Sequence, residues 1–266
     1  MKKNKIVGGS AKKRFSKKDK KDLPLISVIT VVLNNKKFLQ KSINSVLNQT
    51  YKNYELIIVD GKSSDGTLKI LKKNNSKIDF WISENDKGLY DAMNKGMKLS
   101  RGSIMVFLNS DDIFYRRALE TAANYFRTNQ KIDFLFGSVI KYKLLYGYRP
   151  WKIHWSFGFY STHSIGFFIK KKAQKKVGHY NIKYKYSSDY DFFYRMIVKH
   201  KLKGMATKKE EIFGKFRRGG ISSKISFMQY LNETIRIRLD NKQNILLVST
   251  IFVLKYLRHL LNKIIY

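Results

Sequence analysis

"GSIMVFLNSDD", Gly102 to Asp112, is the stretch on which the fold turns. Ile104 to Leu108 is an unbroken apolar run that ends in an amide, a serine and two adjacent carboxylates. A short apolar run with no polar alternation reads as a strand covered on both faces, the kind from which parallel sheets are built. Asp111 and Asp112 repel one another, and a strand end has no need of them. A divalent cation would offset that repulsion, because hard cations such as Mg²⁺ or Mn²⁺ take oxygen ligands, often one or two carboxylates plus substrate phosphates. The alternative is purely local: "SDDIF" could cap a helix.

Upstream the same pattern recurs. "LISVITVVL" (Leu25 to Leu33), "YELIIVD" (Tyr54 to Asp60) and "IDFWIS" (Ile78 to Ser83) are apolar runs rich in β-branched residues. Between them lie helical patterns: Leu39, Ile43, Val46 and Leu47 at helical spacing, a helix opened by "SDGTLKILKK", and the stripe Leu89, Met93, Gly96 and Met97. Strand and helix alternate four times, which predicts a parallel α/β sheet with right-handed crossovers. Ligands bind beyond the carboxyl ends of such strands. Asn34, Asp60, Glu84 to Asp86 and Asn109 to Asp112 all fall there. Strand-to-helix turns favour Asp, Asn, Ser and Gly in any case, which accounts for some of these positions but poorly for the acidic doublet. Asp86 sits where a helix cap would, and spacing does not separate cap from ligand.

The 266 residues suffice for one large domain or two modest ones. There is no cysteine, so disulfides, thiolate zinc sites and a cysteine nucleophile are excluded; this fits a reducing compartment without proving one. No G-x-G-x-x-G or G-x-x-x-x-G-K-[ST] loop follows the first strand, which argues against a dinucleotide fold and a P-loop ATPase. Lys and Arg number 54 against 19 acidic residues, a formal charge of +35 that suits a polyanionic partner: nucleic acid, an anionic membrane face or phosphorylated substrates. Residues 1–23 form a lysine-rich tail, expected to be disordered, with no apolar stretch of signal-peptide length.

The second half is less regular. "IDFLFGSVIKY" and "SIGFFIK" read as strands, and "DYDFFYRMIVKH" as a helix with Phe192, Phe193, Met196 and Ile197 on one face. "SSDYDFF" offers two carboxylates, Asp189 and Asp191, at the start of that helix, either caps or a general base. His163 in "STHS" reads as structural. Residues 226–266 read as helical, with an apolar end interrupted by Lys255, Arg258, His259 and Lys263. No apolar run there reaches the ~20 residues of a membrane span, so an interfacial helix on an anionic membrane face is expected, or else a helix packed on the domain.

Taken in order, "ISVITVVLN", "YELIIVDGKSSDGT", "SENDKGLYDAMNKG", "FLNSDD", "SSDYDFFYRM" and "RRGGIS" resemble the family 2 inverting glycosyltransferases of GT-A fold, especially the bacterial branch that builds surface polysaccharides such as colanic acid and lipopolysaccharide. The resemblance spans roughly residues 24–225. It implies a mostly parallel, Rossmann-like sheet flanked by helices, followed by a helical C-terminal extension. It also implies sugar transfer from a nucleotide sugar, with a UDP-sugar expected, to a glycan or lipid-linked acceptor, in the cytoplasm or on the inner membrane face. By the same resemblance Asp60 contacts the nucleobase, and Asn34, Asp65, Asp86 and Asn94 line the nucleotide pocket. Asp112 ligates Mn²⁺ or Mg²⁺, Asp111 lies near the ribose and sugar, and Asp189 deprotonates the acceptor. Arg218, Gly219 and Gly220 belong to a loop that closes over the diphosphate.

Two residues depart from the family pattern. Lys62 stands where many relatives have glycine, and Ser188 where many have glutamate; the second leaves Asp191 as a competitor of Asp189. Two other readings compete with an enzyme. One is a basic nucleic-acid-binding α/β protein, using the aromatic, lysine-rich stretch from Lys141 to Trp155. The other is a catalytically silent scaffold. Asp60, Asp112 and Asp189 on one rim would repel a phosphate backbone, so no specific nucleic-acid partner is expected.

Overall fold

A computed structural model describes residues 5–20, 22–155, 160, 162, 164–217 and 225–265. The chain opens with strand β1 (Ile6–Gly8) and helix α1 (Ala11–Ser16), then alternates through β2 (Ile26–Val32), α2 (Lys36–Leu47), β3 (Tyr54–Asp60), α3 (Thr67–Lys73), β4 (Phe80–Ser83), α4 (Leu89–Leu99) and β5 (Ile104–Phe107). Every residue of β2 and β3 is buried, as expected of strands covered on both faces. The two-residue period sends Ile26, Val28 and Val32 of β2 into a core with α2, while Ile29 and Val31 enter a second core with α4. Helix α4 approaches closely because Gly96 faces β2: a Cβ there would lie 2.2 Å from Ile29 Cγ2.

The second half adds β6 (Ile113–Phe114), α5 (Ala118–Thr128), β7 (Phe134–Phe136), β8 (Ser138–Ile140), β9 (Leu144–Leu145), a 3₁₀ helix (Pro150–Trp155), β10 (Phe167–Lys170), α6 (Lys171–Val177) and α7 (Ser188–Tyr194), which runs into a π-helical turn (Arg195–Lys199). Strands β11 (Gly204–Ala206) and β12 (Ile212–Lys215) and helices α8 (Phe227–Asp240) and α9 (Ile245–Ile265) follow. The main sheet runs β1-β4-β3-β2-β5-β10-β7-β11. Strands β2 to β5 are parallel, whereas β1 and β10 join antiparallel, so the sheet is mixed. A smaller sheet, β6-β12-β8-β9, lies beside it. "IDFLFGSVIKY" is not one strand: it breaks at Gly137 into β7 and β8, which belong to different sheets. A Cβ on Gly137 would sit 2.3 Å from the Phe213 ring, so only glycine lets β12 close over the break.

The expected disordered tail needs correction for the described residues from 5 onward. Ile6, Val7 and Gly8 pair antiparallel with Ser83, Ile82 and Trp81, covering an edge strand. Lys17 Nζ lies 2.6 Å from Asp79 Oδ1, and Arg14 Nε lies 3.9 Å from Glu55 Oε2. Both carboxylates are buried, and buried charge needs paired cations. The low-complexity tail is therefore partly a strap that neutralises two interior acids.

The segment expected to be helical from residue 226 holds two helices that pack differently. Helix α8, capped by Ser226 and Gln229 in a reciprocal capping box, buries Leu231, Thr234, Ile237 and Arg238 against the domain. Helix α9 is different: Val248 and Ile251 pack inward, while Leu246, Val253, Leu254, Leu257 and Leu261 are exposed. Ile251 is thus not on the same face as Leu254, Leu257 and Leu261. The expectation that no stretch is long enough to span a bilayer is corrected too. Ile245–Asn262 is long and apolar enough by length and composition alone.

Candidate active site

The parallel strands β2 to β5 end on one side of the sheet, and a cleft of about 970 Å³ opens there. Asn34, Asp86, Asp111 and Asp189 line it. Asn34 follows β2 in the left-handed region (φ 50°), where its Oδ1 accepts the Ser64 N–H at 2.8 Å and its own N–H reaches Ser63 Oγ at 2.7 Å. Asp86 accepts the Gly88 N–H at 2.8 Å, and burial raises its carboxyl above the usual range. Its other oxygen overlies Gly61 so closely that a Cβ there would be 2.4 Å away. Lys62 adopts φ 65°, a left-handed conformation that glycine takes without strain.

Other expected site residues are committed elsewhere. Asp60, expected at the nucleobase, is fully buried; it accepts the Ser63 hydroxyl at 2.5 Å and the Ser83 hydroxyl at 2.6 Å and does not line the cleft. Asp65 accepts the Lys36 N–H at 2.9 Å and the Thr67 N–H at 2.9 Å, tying together the starts of α2 and α3. Burial alone would raise its carboxyl, but those hydrogen bonds outweigh it and lower it. Its observed place is a double cap, not the pocket wall. Asn94, expected in the nucleotide pocket, is buried and clasps the backbone of Tyr180, donating to its carbonyl at 2.8 Å and accepting from its N–H at 2.9 Å. Arg218, Gly219, Gly220 and His163 lie outside the described residues.

The acidic doublet splits. Asp111 faces the cleft and pairs with Arg217, whose Nε is 3.1 Å from Oδ2. Asp112 turns inward, accepting the Arg217 N–H at 2.9 Å and the Ser164 hydroxyl at 3.1 Å. Burial lifts its carboxyl to about 7, against hydrogen bonds that favour the charged form, and the neighbouring Asp111 charge adds to the rise. Asn109 Oδ1, two residues before the doublet, is buried without a partner. Carboxylate and amide oxygens are the donors Mg²⁺ or Mn²⁺ prefers; Asp111 and Asn109 line the cleft, whereas both Asp112 oxygens are taken by Arg217 and Ser164 and would have to be released to a cation. Among the described residues no group of three His, Cys, Asp or Glu side chains gathers, so such an ion would need further oxygens from substrate phosphates.

Asp189 and Asp191 also part company. Asp189 lines the cleft; Tyr90 Oη lies 3.1 Å from its Oδ1 and Tyr160 Oη 3.4 Å from its Oδ2. Burial, reinforced by the Asp189 charge, pushes both phenols well above their ordinary value, so they stay protonated as donors. Asp191 points away, bonded to Arg195 at 2.9 Å and to the Asn241 amide at 2.9 Å. Tyr160 and Arg217 escaped the sequence reading, because nothing local to either signals a partner so far along the chain.

A mixed sheet whose parallel strands end on a carboxylate-lined cleft, with a helical C-terminal extension, defines a transferase of GT-A fold. The chain belongs to glycosyltransferase family 2: residues 27–193 match the model of "Glycosyl transferase family 2". An uncharacterized glycosyltransferase of Methanocaldococcus jannaschii is 31% identical, over 66% of this chain and 66% of that one, so the match spans just under two thirds of this relative's length. A UDP-Glc:alpha-D-GlcNAc-diphosphoundecaprenol beta-1,3-glucosyltransferase of Escherichia coli is 37% identical over 43% of this chain and 45% of its own. Among solved structures, TarS residues 1–349 of S. aureus in complex with UDP-GlcNAc superposes with a TM-score of 0.66 at 17% identity, covering 88% of this chain and 72% of that one.

Proposed function

We propose that the cleft binds a nucleotide sugar, with UDP as the nucleotide, and transfers its sugar with inversion to a hydroxyl of a glycan or lipid-linked acceptor. The observation that carries this is that Asp111, beside Asn109, and Asp189, beside two protonated phenols, line one cleft. Asp189 takes the acceptor proton, held in place by the two phenols; the acceptor oxygen then attacks the anomeric carbon, and the nucleoside diphosphate leaves. Asn34 and Asp86 line the donor side. Asp112 and Asp111, with Asn109, would hold Mn²⁺ or Mg²⁺, which when bound neutralises charge on the diphosphate leaving group. The UDP-GlcNAc complex of the TarS neighbour and the UDP-Glc donor in the E. coli relative's name support the choice of nucleotide.

We further propose that the exposed apolar face of α9 rests at headgroup level on an anionic membrane surface, on the cytoplasmic side. Leu246, Val253, Leu254, Leu257 and Leu261 would enter the interface, and the net charge of +35 would draw the protein to anionic lipid. A lipid-linked acceptor gives this attachment a purpose. The enzymatic reading is tested by following UDP release from a panel of UDP-sugars with and without Mn²⁺ and glycan acceptors. No release from any nucleotide sugar by folded protein would favour a silent scaffold instead.

A further inference from the structure

Glu233 lies on α8, beyond the segment that matches the family model. Its carboxylate accepts three consecutive backbone N–H groups from another part of the chain: Lys185 at 2.5 Å, Tyr186 at 2.7 Å and Ser187 at 2.7 Å. These residues line the cleft, and Ser187 is the N-cap of α7, two residues before Asp189. The Tyr186 carbonyl oxygen is 3.1 Å from Tyr90 Oη, the same hydroxyl that lies 3.1 Å from Asp189 Oδ1. One carboxylate therefore fixes both the backbone that launches Asp189 and the carbonyl that competes for the Tyr90 proton. A carboxylate receiving several N–H groups makes strong, charge-assisted hydrogen bonds. Helix α8 is itself held by buried Leu231 and Ile237, so the anchor is rigid.

We infer that Glu233 is a positioning residue for Asp189, which couples the C-terminal helix to the acceptor side of the site. This rests on the reading of Asp189 as the base. Misplacement of a reacting group by an ångström costs about 10²-fold in rate. A Glu233→Ala variant is accordingly expected to lose about 10- to 100-fold in kcat, with donor KM and UDP affinity unchanged. Glu233→Gln keeps one acceptor oxygen and should fall between the two; it also serves if the alanine variant folds poorly.

The deciding experiment is a double-mutant cycle with Asp189→Asn, read as residual turnover alongside UDP affinity by calorimetry. If Glu233 acts through Asp189, adding Glu233→Ala to Asp189→Asn costs little more. If Asp189→Asn is impaired but retains measurable turnover, while Glu233→Ala and Glu233→Gln keep full kcat, weaken UDP binding in step, or add their full loss to Asp189→Asn, the positioning role is overturned and the base stands. If Asp189→Asn turns over normally, the base assignment falls and the positioning role falls with it.

Discussion

Tyr90 and Asp189, separated by 99 positions in sequence, meet at 3.1 Å in the cleft wall. The contact gives Asp189 a donor that burial keeps protonated, whereas Asp191 is spent on Arg195 and Asn241. Asp189→Asn should therefore lower turnover by about 10²–10⁴-fold with donor binding intact, the usual worth of a general base. Asp191→Asn should cost mainly stability, because a buried pair loses one charge. A dead Asp191→Asn that folds normally beside an active Asp189→Asn would show the assignment to be reversed. Removing the hydroxyl alone, with Tyr90→Phe, should lower turnover only about fivefold, the equivalent of one ordinary hydrogen bond.

The acidic doublet predicts dependence on a divalent ion. Chelation should abolish turnover and weaken UDP binding, and Mn²⁺ or Mg²⁺ should restore both. Asp112→Asn is expected to remove most activity and most of the metal dependence of UDP affinity, measured by calorimetry with and without Mn²⁺. Turnover that persists undiminished in chelator would sink the metal assignment.

The parallel half of the fold was readable because β2 and β3 are buried along their whole length, so burial leaves a continuous apolar signature. The convergence of strand ends was readable for the same reason. Side-chain direction was not. Asp60 ends β3 and Asp111 follows β5 by four residues, yet one turns inward to Ser63 and Ser83 and the other faces the cleft. The second half lacked a clean period because its strands are two to four residues long and change sheet at Gly137. Contacts such as Glu233 to Tyr186 bridge 47 positions and leave no local trace.

Asn94 illustrates the difference between family position and observed role. Its amide makes both hydrogen bonds to the Tyr180 backbone. Asn94→Ala should cost about 1–3 kcal/mol, since two buried backbone groups lose their partner. Donor KM should hardly change. A large rise in donor KM without loss of thermal stability would return Asn94 to the nucleotide pocket.

Deleting residues 1–22 should destabilise the domain by about 3–5 kcal/mol, the usual consequence of leaving a buried charge unpaired. Lys17→Met alone should reproduce much of the loss, because Asp79 has no exposed side-chain surface. The unpaired edge of β4 should also promote self-association, visible by light scattering. A truncated protein that melts with the full chain would show the strap to be dispensable.

The two C-terminal helices should behave oppositely when removed. A chain ending at Ser226 loses Glu233, buried Arg238 and the Asn241 amide that bonds Asp191, so it should unfold or expose the base loop. A chain ending at Asn244 keeps all three and loses only α9, whose inward contacts include Val248 and Ile251. It should stay folded and keep UDP binding. If α9 rests on a membrane, this shorter chain should also fail to float with anionic liposomes that carry the full-length protein. Each leucine that enters the interface contributes about 1.5–3 kcal/mol at full burial, and each basic residue near an anionic leaflet about 1 kcal/mol. Replacing Leu254, Leu257 and Leu261 together by Ser should thus abolish flotation, whereas raising the salt should only weaken it, because screening removes the electrostatic share alone. Lys255 is a separate probe of how α9 docks. Burial, with Arg238 nearby, lowers its amine to about 7, below its unfolded value, so the unfolded chain holds more protons between about pH 7 and 10. Stability should rise with pH across that window, and Lys255→Met should flatten the rise in thermal melts. Full-length protein that ignores anionic liposomes at low salt would leave α9 as a helix packed on the domain and nothing more.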